Sequence, residues 1–416
     1  MNKQKLYAIL ISLIVALGGF LLGFDSAVIS GATPFYKMSF GLDTGSWLIG
    51  FSVGSIILGA IMGNIVAGPL ADKLGRKKVL IITSILFTYA ALGTALTNSI
   101  FFFISARIIG GIGVGMAILV APMYIAEIAP RKLRGQLVTF NQLNIVLGIS
   151  IAYFSNYFIQ QNITDPDLNW RWMLGVGVIP AILYFVFLFI VPQSPRWLAQ
   201  RGRDEEALKV LKKVNAPDVA ENEIREIKLN LEKDSKSERG RFRDVFSKRM
   251  KIVLIIGFGI AFFQQITGIN AIFYYAPMIF EMAGGGKDAA FMQAIILGLT
   301  NVVMTVVAMF LIDKLGRKPL LVIGAIGITV SLAIVGFSFQ KASYTIDNEA
   351  ISAIQTDITE SHSSDVAGGI SSMIQGMEGK TYEREVEFFS QLKELIGNDN
   401  YNTFKETVLK HSISIQ

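Results

Sequence analysis

The chain contains no cysteine, which excludes disulfides, thiolate metal sites and thiol nucleophiles. Histidine is nearly absent as well. His362 and His411 are the only two, and both lie in the polar C-terminal stretch, so no histidine cluster can bind metal or relay protons within the apolar region. Charge is sparse: Asp, Glu, Lys and Arg make up 17% of the 416 residues, where roughly 25% is usual for a soluble domain. In its place stands 52% hydrophobic content and a mean hydropathy of +0.50, the composition of a chain that lives in lipid. The net charge of +6 does not point to nucleic acid, because of its distribution. Residues 340–416 hold six Lys/Arg against twelve Asp/Glu, leaving (38 − 6) − (32 − 12) = +12 on the remainder, concentrated in short blocks.

A membrane-spanning helix needs about 20 apolar residues. Nine runs qualify, near 6–30, 46–70, 79–98, 101–126, 138–160, 173–192, 251–282, 290–312 and 319–339. The first, LYAILISLIVALGGFLLGFDSAVIS, exceeds the apolar core of a signal peptide and lacks a small-residue cleavage site, so it reads as span 1. Basic residues occupy every second loop: Lys73, Arg76, Lys77 and Lys78; Arg131, Lys132 and Arg134; the 196–251 segment; and Lys314, Arg317 and Lys318. By the positive-inside rule these loops and the N-terminus are cytoplasmic, Trp47 and the NWRW at 169–172 mark the outer interface, and residue 340 onward is outside.

The hexapeptide DKLGRK occurs twice, at 72–77 and 313–318, each time as a tight turn between two spans. The second copy lies six spans after the first. Two six-helix halves related by an axis along the membrane normal, with substrate held between them near mid-membrane, are an established transporter architecture. A full second half would need spans 10–12, and nothing after Phe339 is apolar enough to cross. Residues 340–416 are therefore expected to be a long outer loop at whose end the chain is cut short.

The motifs GPLADKLGRKK (68–78), RIIGGIGVG (107–115), PMYIAEIAPRKLRG (122–135), PQSPRWL (192–198), QQITGINAIFYYAP (264–277) and DKLGRKP (313–319) occur in one order along residues 6–339. Together they resemble the sugar porter family of the major facilitator superfamily, in particular its bacterial proton-coupled pentose and hexose symporters. The resemblance implies an all-α fold of two six-helix halves, of which nine spans are present: 1–193 as the N-terminal half, 194–250 as a cytoplasmic linker, 251–339 as the first three helices of the second half, and 340–416 as an acidic extracytoplasmic segment. It also implies a multi-pass protein of the inner membrane, with monosaccharide and protons as partners; no cofactor or metal is expected, and the sequence leaves the oligomeric state open, a monomer being the default. Two departures stand out. Gln193 sits where the family usually has Glu, which removes one inner-face ion pair. The last three helices of the family, with further sugar contacts and a second acidic motif, have no counterpart here.

Asp25 and Arg107 both fall roughly 7 to 10 Å to the outer side of the midplane of spans 1 and 4, and so can meet. Charges inside a membrane are expensive and mark function by default. Their pairing has two readings: a permanent structural ion pair, or a carboxylate that loads and releases a proton as the outer cavity opens and closes. The resemblance favours the second, since facilitators of the family generally lack this acid.

Gln264, Gln265 and Asn270 on span 7, with Tyr274 and Tyr275 a turn beyond, offer donors and acceptors together, as a neutral polyol requires. Gln142 on span 5 and Asn301 on span 8 are isolated amides of the same kind. In the resemblance all five amides match sugar-contacting positions; the alternative is interhelical bonding worth about 0.6 kcal/mol per contact.

At the inner turns Asp72 with Arg76, Glu127 with Arg134, and Asp313 with Arg317 place opposite charges where helix ends converge. These pairs would hold the cytoplasmic face closed, or simply fix topology around Gly75 and Gly316. Glycines 50, 54, 59 and 63 on span 2 and Gly111 and Gly115 on span 4 read as close-packing positions, not as a phosphate cradle. Residues 196–250 have the spacing of short amphipathic helices, either latching the halves or forming a solvated linker. The Asn162-Ile-Thr164 triplet fits a glycosylation pattern but carries little weight in a bacterial setting. No nucleophile, base and orienter constellation is visible, so an enzyme is not expected. The leading reading is proton-coupled sugar transport. Uncoupled facilitation, or a sensor that binds sugar without moving it, are the alternatives.

Overall fold

Every apolar run is helical, because a backbone in hydrocarbon has no water to satisfy its polar groups and must bond within its own segment. A computed structural model describes residues 3–42, 46–131, 133–236, 247, 250–282, 287–340, 342–346, 348–361, 364–382, 387–397, 408 and 413–415. Lys132, His362 and His411 lie outside them. Among the described residues nine helical segments are long and apolar enough to span a membrane, each overlapping one of the nine expected runs. The chain divides into two compact units, Met1–Tyr275 with Ile295–Phe310, and Ala276–Ala294 with Leu311–Gln416.

The first unit is built on α1 (Lys3–Ser39), α2 (Trp47–Leu74), α3 (Arg76–Leu96), α4 (Ile100–Ile128) and α5 (Arg134–Asn162), with span 6 broken at Val176 and Gly177 into α6 (Pro166–Gly175) and α7 (Val178–Leu188). Sequence patterns place the starts: Ser46 accepts from the Leu48 amide to cap α2, and Asp165 accepts from the Asp167 amide to cap α6, with Pro166 in its first turn. The helices are apolar all round, as lipid requires. On α2, Val53, Ile56 and Ala67 are buried against neighbours while Ile57, Ile61 and Ile65 are exposed. Close approach follows from glycine. A Cβ on Gly59 or Gly111 would collide with the backbone carbonyl of Ile108 or Ile56 across the α2/α4 contact, and one on Gly63 or Gly115 with that of Ile112 or Ala60. Gly50 and Gly54, expected to pack likewise, face open space. A second crossing of this kind was not anticipated: Gly23 of α1 lies on the Ile145 carbonyl of α5, and Gly148 on that of Phe20.

Residues 195–236 form α8 (Pro195–Gln200), α9 (Asp204–Val214) and α10 (Pro217–Lys236). They are docked and not a solvated linker, since Trp197, Leu198, Ala207, Val210 and Val214 join the same core as Ala8, Ile11, Val120 and Tyr124. Then come α11 (Lys251–Ile266), α12 (Ile269–Met282) and α13 (Lys287–Leu315); the last two run through both units.

The second unit holds α14 (Arg317–Gln340) and the polar tail. The two DKLGRK copies make the same turn. α2 ends at Leu74, Gly75 takes φ +84° and α3 starts at Arg76; α13 ends at Leu315, Gly316 takes φ +81° and α14 starts at Arg317. Only glycine adopts that backbone without strain. The tail, expected to be a loop, is folded: α15 (Asn348–Ser361) and α16 (Ser364–Ile374) accompany an antiparallel sheet of order β2-β1-β3, with β1 (Ala342–Thr345) between β2 (Thr381–Tyr382) and β3 (Ile413–Ile415). Its apolar residues recur at helical spacing, and Ile351, Ile354, Ile358, Phe388, Leu392 and Ile396 gather in one core.

Candidate functional site

Among the described residues of the first unit Arg107 is the most deeply buried charge, with a side chain only 1% exposed. The α2/α4 glycine contact brings the α2 backbone within its reach. Nε donates to the Ser52 carbonyl at 3.1 Å and Nη2 to that of Val53 at 3.4 Å. Two backbone bonds therefore hold the guanidinium whether or not a counter-ion is present. Nη1 points to Asp25 of α1, whose Oδ2 is 3.8 Å away, an ion pair too long for a hydrogen bond. The Asp25 side chain is 25% exposed and lines a cavity of about 20 Å³ with Leu21, Phe24, Val28, Phe87, Ala91, Leu174 and Gly177. The two charges expected to meet do so. Tyr274 of α12 lies within electrostatic reach of the pair, near Ser26.

Above this pair lies an aromatic cluster. Tyr36 donates to or accepts from Ser52 at 2.8 Å, and its ring packs with Phe40, Phe103 and Trp170. Trp170 was expected at an interface; it is fully buried, with Nε1 donating to Ser39 Oγ at 3.0 Å. Trp172 and Trp47 are the exposed ones, at 57% and 71%. The reason is helical phase: positions two apart on a helix point to nearly opposite sides.

The candidate sugar residues lie on three successive elements and α5. Gln264 and Gln265 are exposed on α11, Asn270 and Tyr274 are half-buried on α12, Asn301 is half-buried on α13, and Gln142 is exposed on α5. Asn270 Nδ2 donates to Gln265 Oε1 at 2.8 Å across the Gly268 turn. Among the described residues the side chains of Gln142, Gln264 and Asn301 make no hydrogen bond.

At the end of the bundle carrying the α2–α3 turn, Arg76 is 6% exposed and makes three bonds: Nη1 to the Ala71 carbonyl at 3.1 Å and to Asp72 Oδ1 at 3.1 Å, and Nη2 to Glu127 Oε1 at 2.9 Å. Glu127 Oε2 accepts a short bond from Ser194 Oγ. Trp197 Nε1 donates to the Asp72 carbonyl at 3.0 Å, which ties α8 to the turn. Gln193 accepts from the Lys77 amide at 3.1 Å, so the neutral residue at this position satisfies a free donor at the start of α3.

One expected pair is corrected. Glu127 does not pair with Arg134, because both Glu127 oxygens are taken by Arg76 and Ser194; Arg134 instead reaches Glu223 of α10 at 3.6 Å, and Arg131 pairs with Glu226. Glu223 also accepts from Asn215 Nδ2 at 2.7 Å, while Gln4 donates to the Asn215 carbonyl at 2.8 Å. Burial pushes the Glu223 carboxyl above its ordinary range, opposed by Arg134, Arg131 and the Asn215 bond. Arg317 is exposed at the start of α14, and the Asp313 side chain lies outside the described residues.

A family profile described as "Sugar (and other) transporter" matches residues 11–356. The chain is 40% identical over 336 residues to the arabinose-proton symporter of Bacillus subtilis, covering 80% of this chain and 71% of that protein. It is 38% identical over 368 residues to the D-xylose-proton symporter of Escherichia coli, covering 82% and 74%. Among solved structures, the proton:xylose symporter XylE bound to 6-bromo-6-deoxy-D-glucose superposes with a TM-score of 0.70 at 31% identity, over 99% of this chain and 82% of that one.

Proposed function

The chain belongs to the sugar transporter family of the major facilitator superfamily, a multi-pass membrane protein, and on that premise we propose that it carries a monosaccharide, a pentose or hexose, together with a proton. The observation that carries the coupling is the asymmetry of the buried pair. Arg107 is anchored to α2 carbonyls, while Asp25 is partly exposed and held only by a 3.8 Å ion pair. Such a carboxylate can leave its partner without unmaking the partner's own bonds. Contact with the guanidinium favours its charged form and apolar surroundings favour the neutral acid, so proton occupancy follows whether the contact is made.

Gln142, Gln264, Gln265, Asn270, Tyr274 and Asn301 hold the sugar. Unfilled amide donors and acceptors on three of them support this role, since hydroxyls that both donate and accept would satisfy both. Asp72, Arg76, Glu127, Arg134, Asp313 and Arg317 act at the cytoplasmic gate, with Glu127 closing on Arg76 and Arg134 on Glu223. The N-terminus and the basic loops face the cytoplasm, residues 1–193 and 251–339 belong to the two halves, 194–250 links them, and 340–416 lies on the outer side of the inner membrane.

The test is uptake of labelled xylose, arabinose and glucose by proteoliposomes under an imposed pH gradient. A gradient should drive accumulation of at least one sugar, and Asp25→Asn should abolish accumulation while leaving sugar exchange in place. Uptake indifferent to the gradient, with Asp25→Asn fully active, would identify a facilitator; binding without flux would identify a sensor.

A further inference from the structure

α12 bends where its covalent chemistry requires it. Pro277 has no amide hydrogen, so the carbonyl four residues earlier, that of Phe273, loses its helical donor. Tyr275, between them, leaves the helical region with φ −123° and ψ 16°. A carbonyl freed in a membrane-spanning helix needs another donor, because hydrocarbon supplies none. Here the donor comes from a different helix. The Tyr153 hydroxyl of α5 donates to the Phe273 carbonyl at 2.8 Å, from a side chain that is 1% exposed. The ring is confined by α13: a Cβ on Gly298 would lie 3.0 Å from Tyr153 Cδ2 and 3.1 Å from Ser150 Cα.

Tyr153 therefore touches the backbone between Asn270 and Tyr274, and the α13 position three residues before Asn301. It also stands eleven residues after Gln142 on α5, three turns along and on the same side of that helix. We propose that Tyr153 is a positioning residue for the sugar site: its hydroxyl replaces the amide that Pro277 lacks, and so fixes the bend of α12 that orients Asn270 and Tyr274. The proposal rests on the reading of α12 as sugar-binding. A side-chain hydroxyl is a releasable donor where a backbone amide is not, so the bend is held by one bond that a moving α12 can break and remake.

The absence of cysteine makes the test clean. Met278→Cys, placed just beyond the bend in the full chain, is labelled with a water-soluble maleimide in proteoliposomes, with and without Tyr153→Phe. Removing the hydroxyl should change the labelling rate and raise the sugar KM by about three- to tenfold, the range expected for one lost hydrogen bond, while kcat changes less. The same substitution on a Pro277→Ala background, where residue 277 supplies its own amide, should have little effect on either. Equal effects on both backgrounds, or no effect of Tyr153→Phe, would overturn the proposal. Should Pro277→Ala fail to fold, Gly298→Ala serves instead. By crowding the Tyr153 ring it should reproduce the Tyr153→Phe phenotype and add nothing to it, and additivity would overturn the assignment. If the parent protein binds no sugar while the Pro277-dependent labelling pattern holds, the sugar reading falls and the role of Tyr153 in holding α12 stands.

Discussion

Glu127→Gln removes one charge from the buried end of the Arg76 network and keeps the side chain's shape. Arg76 has three acceptors, and they are not equivalent. The Asp72 side chain is 64% exposed and four residues away on the same turn, so its pairing is screened and worth roughly 0.3–0.5 kcal/mol. The Glu127 side chain is 9% exposed at 2.9 Å, against an Arg76 side chain that is 7% exposed. A charge-assisted bond in that setting contributes about 1.5–3 kcal/mol. Breaking a buried pair by deleting one partner costs about 3–5 kcal/mol, but glutamine leaves Arg76 an acceptor, which favours a loss near 2 kcal/mol. With about 2–4 °C per kcal/mol for a domain of roughly 200 residues, Glu127→Gln should lower the Tm of the detergent-purified protein by about 4–8 °C. Asp72→Asn should lower it by about 2 °C or less. A double variant, Arg76→Met with Glu127→Gln, should lose less than the sum of the two single losses, because the partners share one interaction. If Asp72→Asn matched Glu127→Gln, or if the double variant were additive, burial would not be what gives this pair its strength.

Two further outcomes follow from packing and titration. Gly111→Ala should reduce stability and folded yield sharply, since its Cβ meets the Ile56 carbonyl, whereas Gly54→Ala, with nothing nearby, should be neutral or gain up to about 1 kcal/mol in helix propensity; thermal melts of the two compare them directly. The Glu223 carboxyl is raised above its ordinary value of 4.5, chiefly by burial. Between that value and the raised one, the folded protein keeps a proton that the unfolded chain has lost. This contribution is complete below the ordinary value and disappears as pH rises through the folded one, so stability relative to Glu223→Gln should fall over that window and then level off. A pH series of melts for both proteins reads it; a difference that grows with pH would contradict the sign.

Much of the fold was legible because it is set locally. A run of apolar residues must be helical in lipid, and a glycine between two charged helix ends must turn, so the nine spans and the matched turns at Gly75 and Gly316 could be read without coordinates. Asp25 and Arg107 were recognisable for a related reason: a charge in an apolar run is rare enough to need a partner, and these two stand at similar depth. The folded tail was not read: Ile351, Ile354 and Ile358 stand at helical spacing and share one core, within a stretch whose polar composition is that of a loop.

The choice of partner was another matter. Nothing in G-x-x-x-G distinguishes Gly54, which faces open space, from Gly59, which lies on a carbonyl. Nor could nearness in sequence show that Glu127 answers Arg76 and Arg134 answers Glu223, or that Trp170 points inward while Trp172 does not. The carbonyl that Pro277 leaves without a helical donor went unread in the sequence, and only the packing of α5 on α12 decides that Tyr153 supplies the donor. The sequence alone determined where the chain crosses, where it turns and which charges need company, because those depend on covalent geometry and hydropathy over a few consecutive residues. Only the tertiary structure decided which groups meet, because a hydrogen bond or ion pair depends on a separation of about 3–4 Å between segments far apart in the chain, 120 residues for Tyr153 and Phe273.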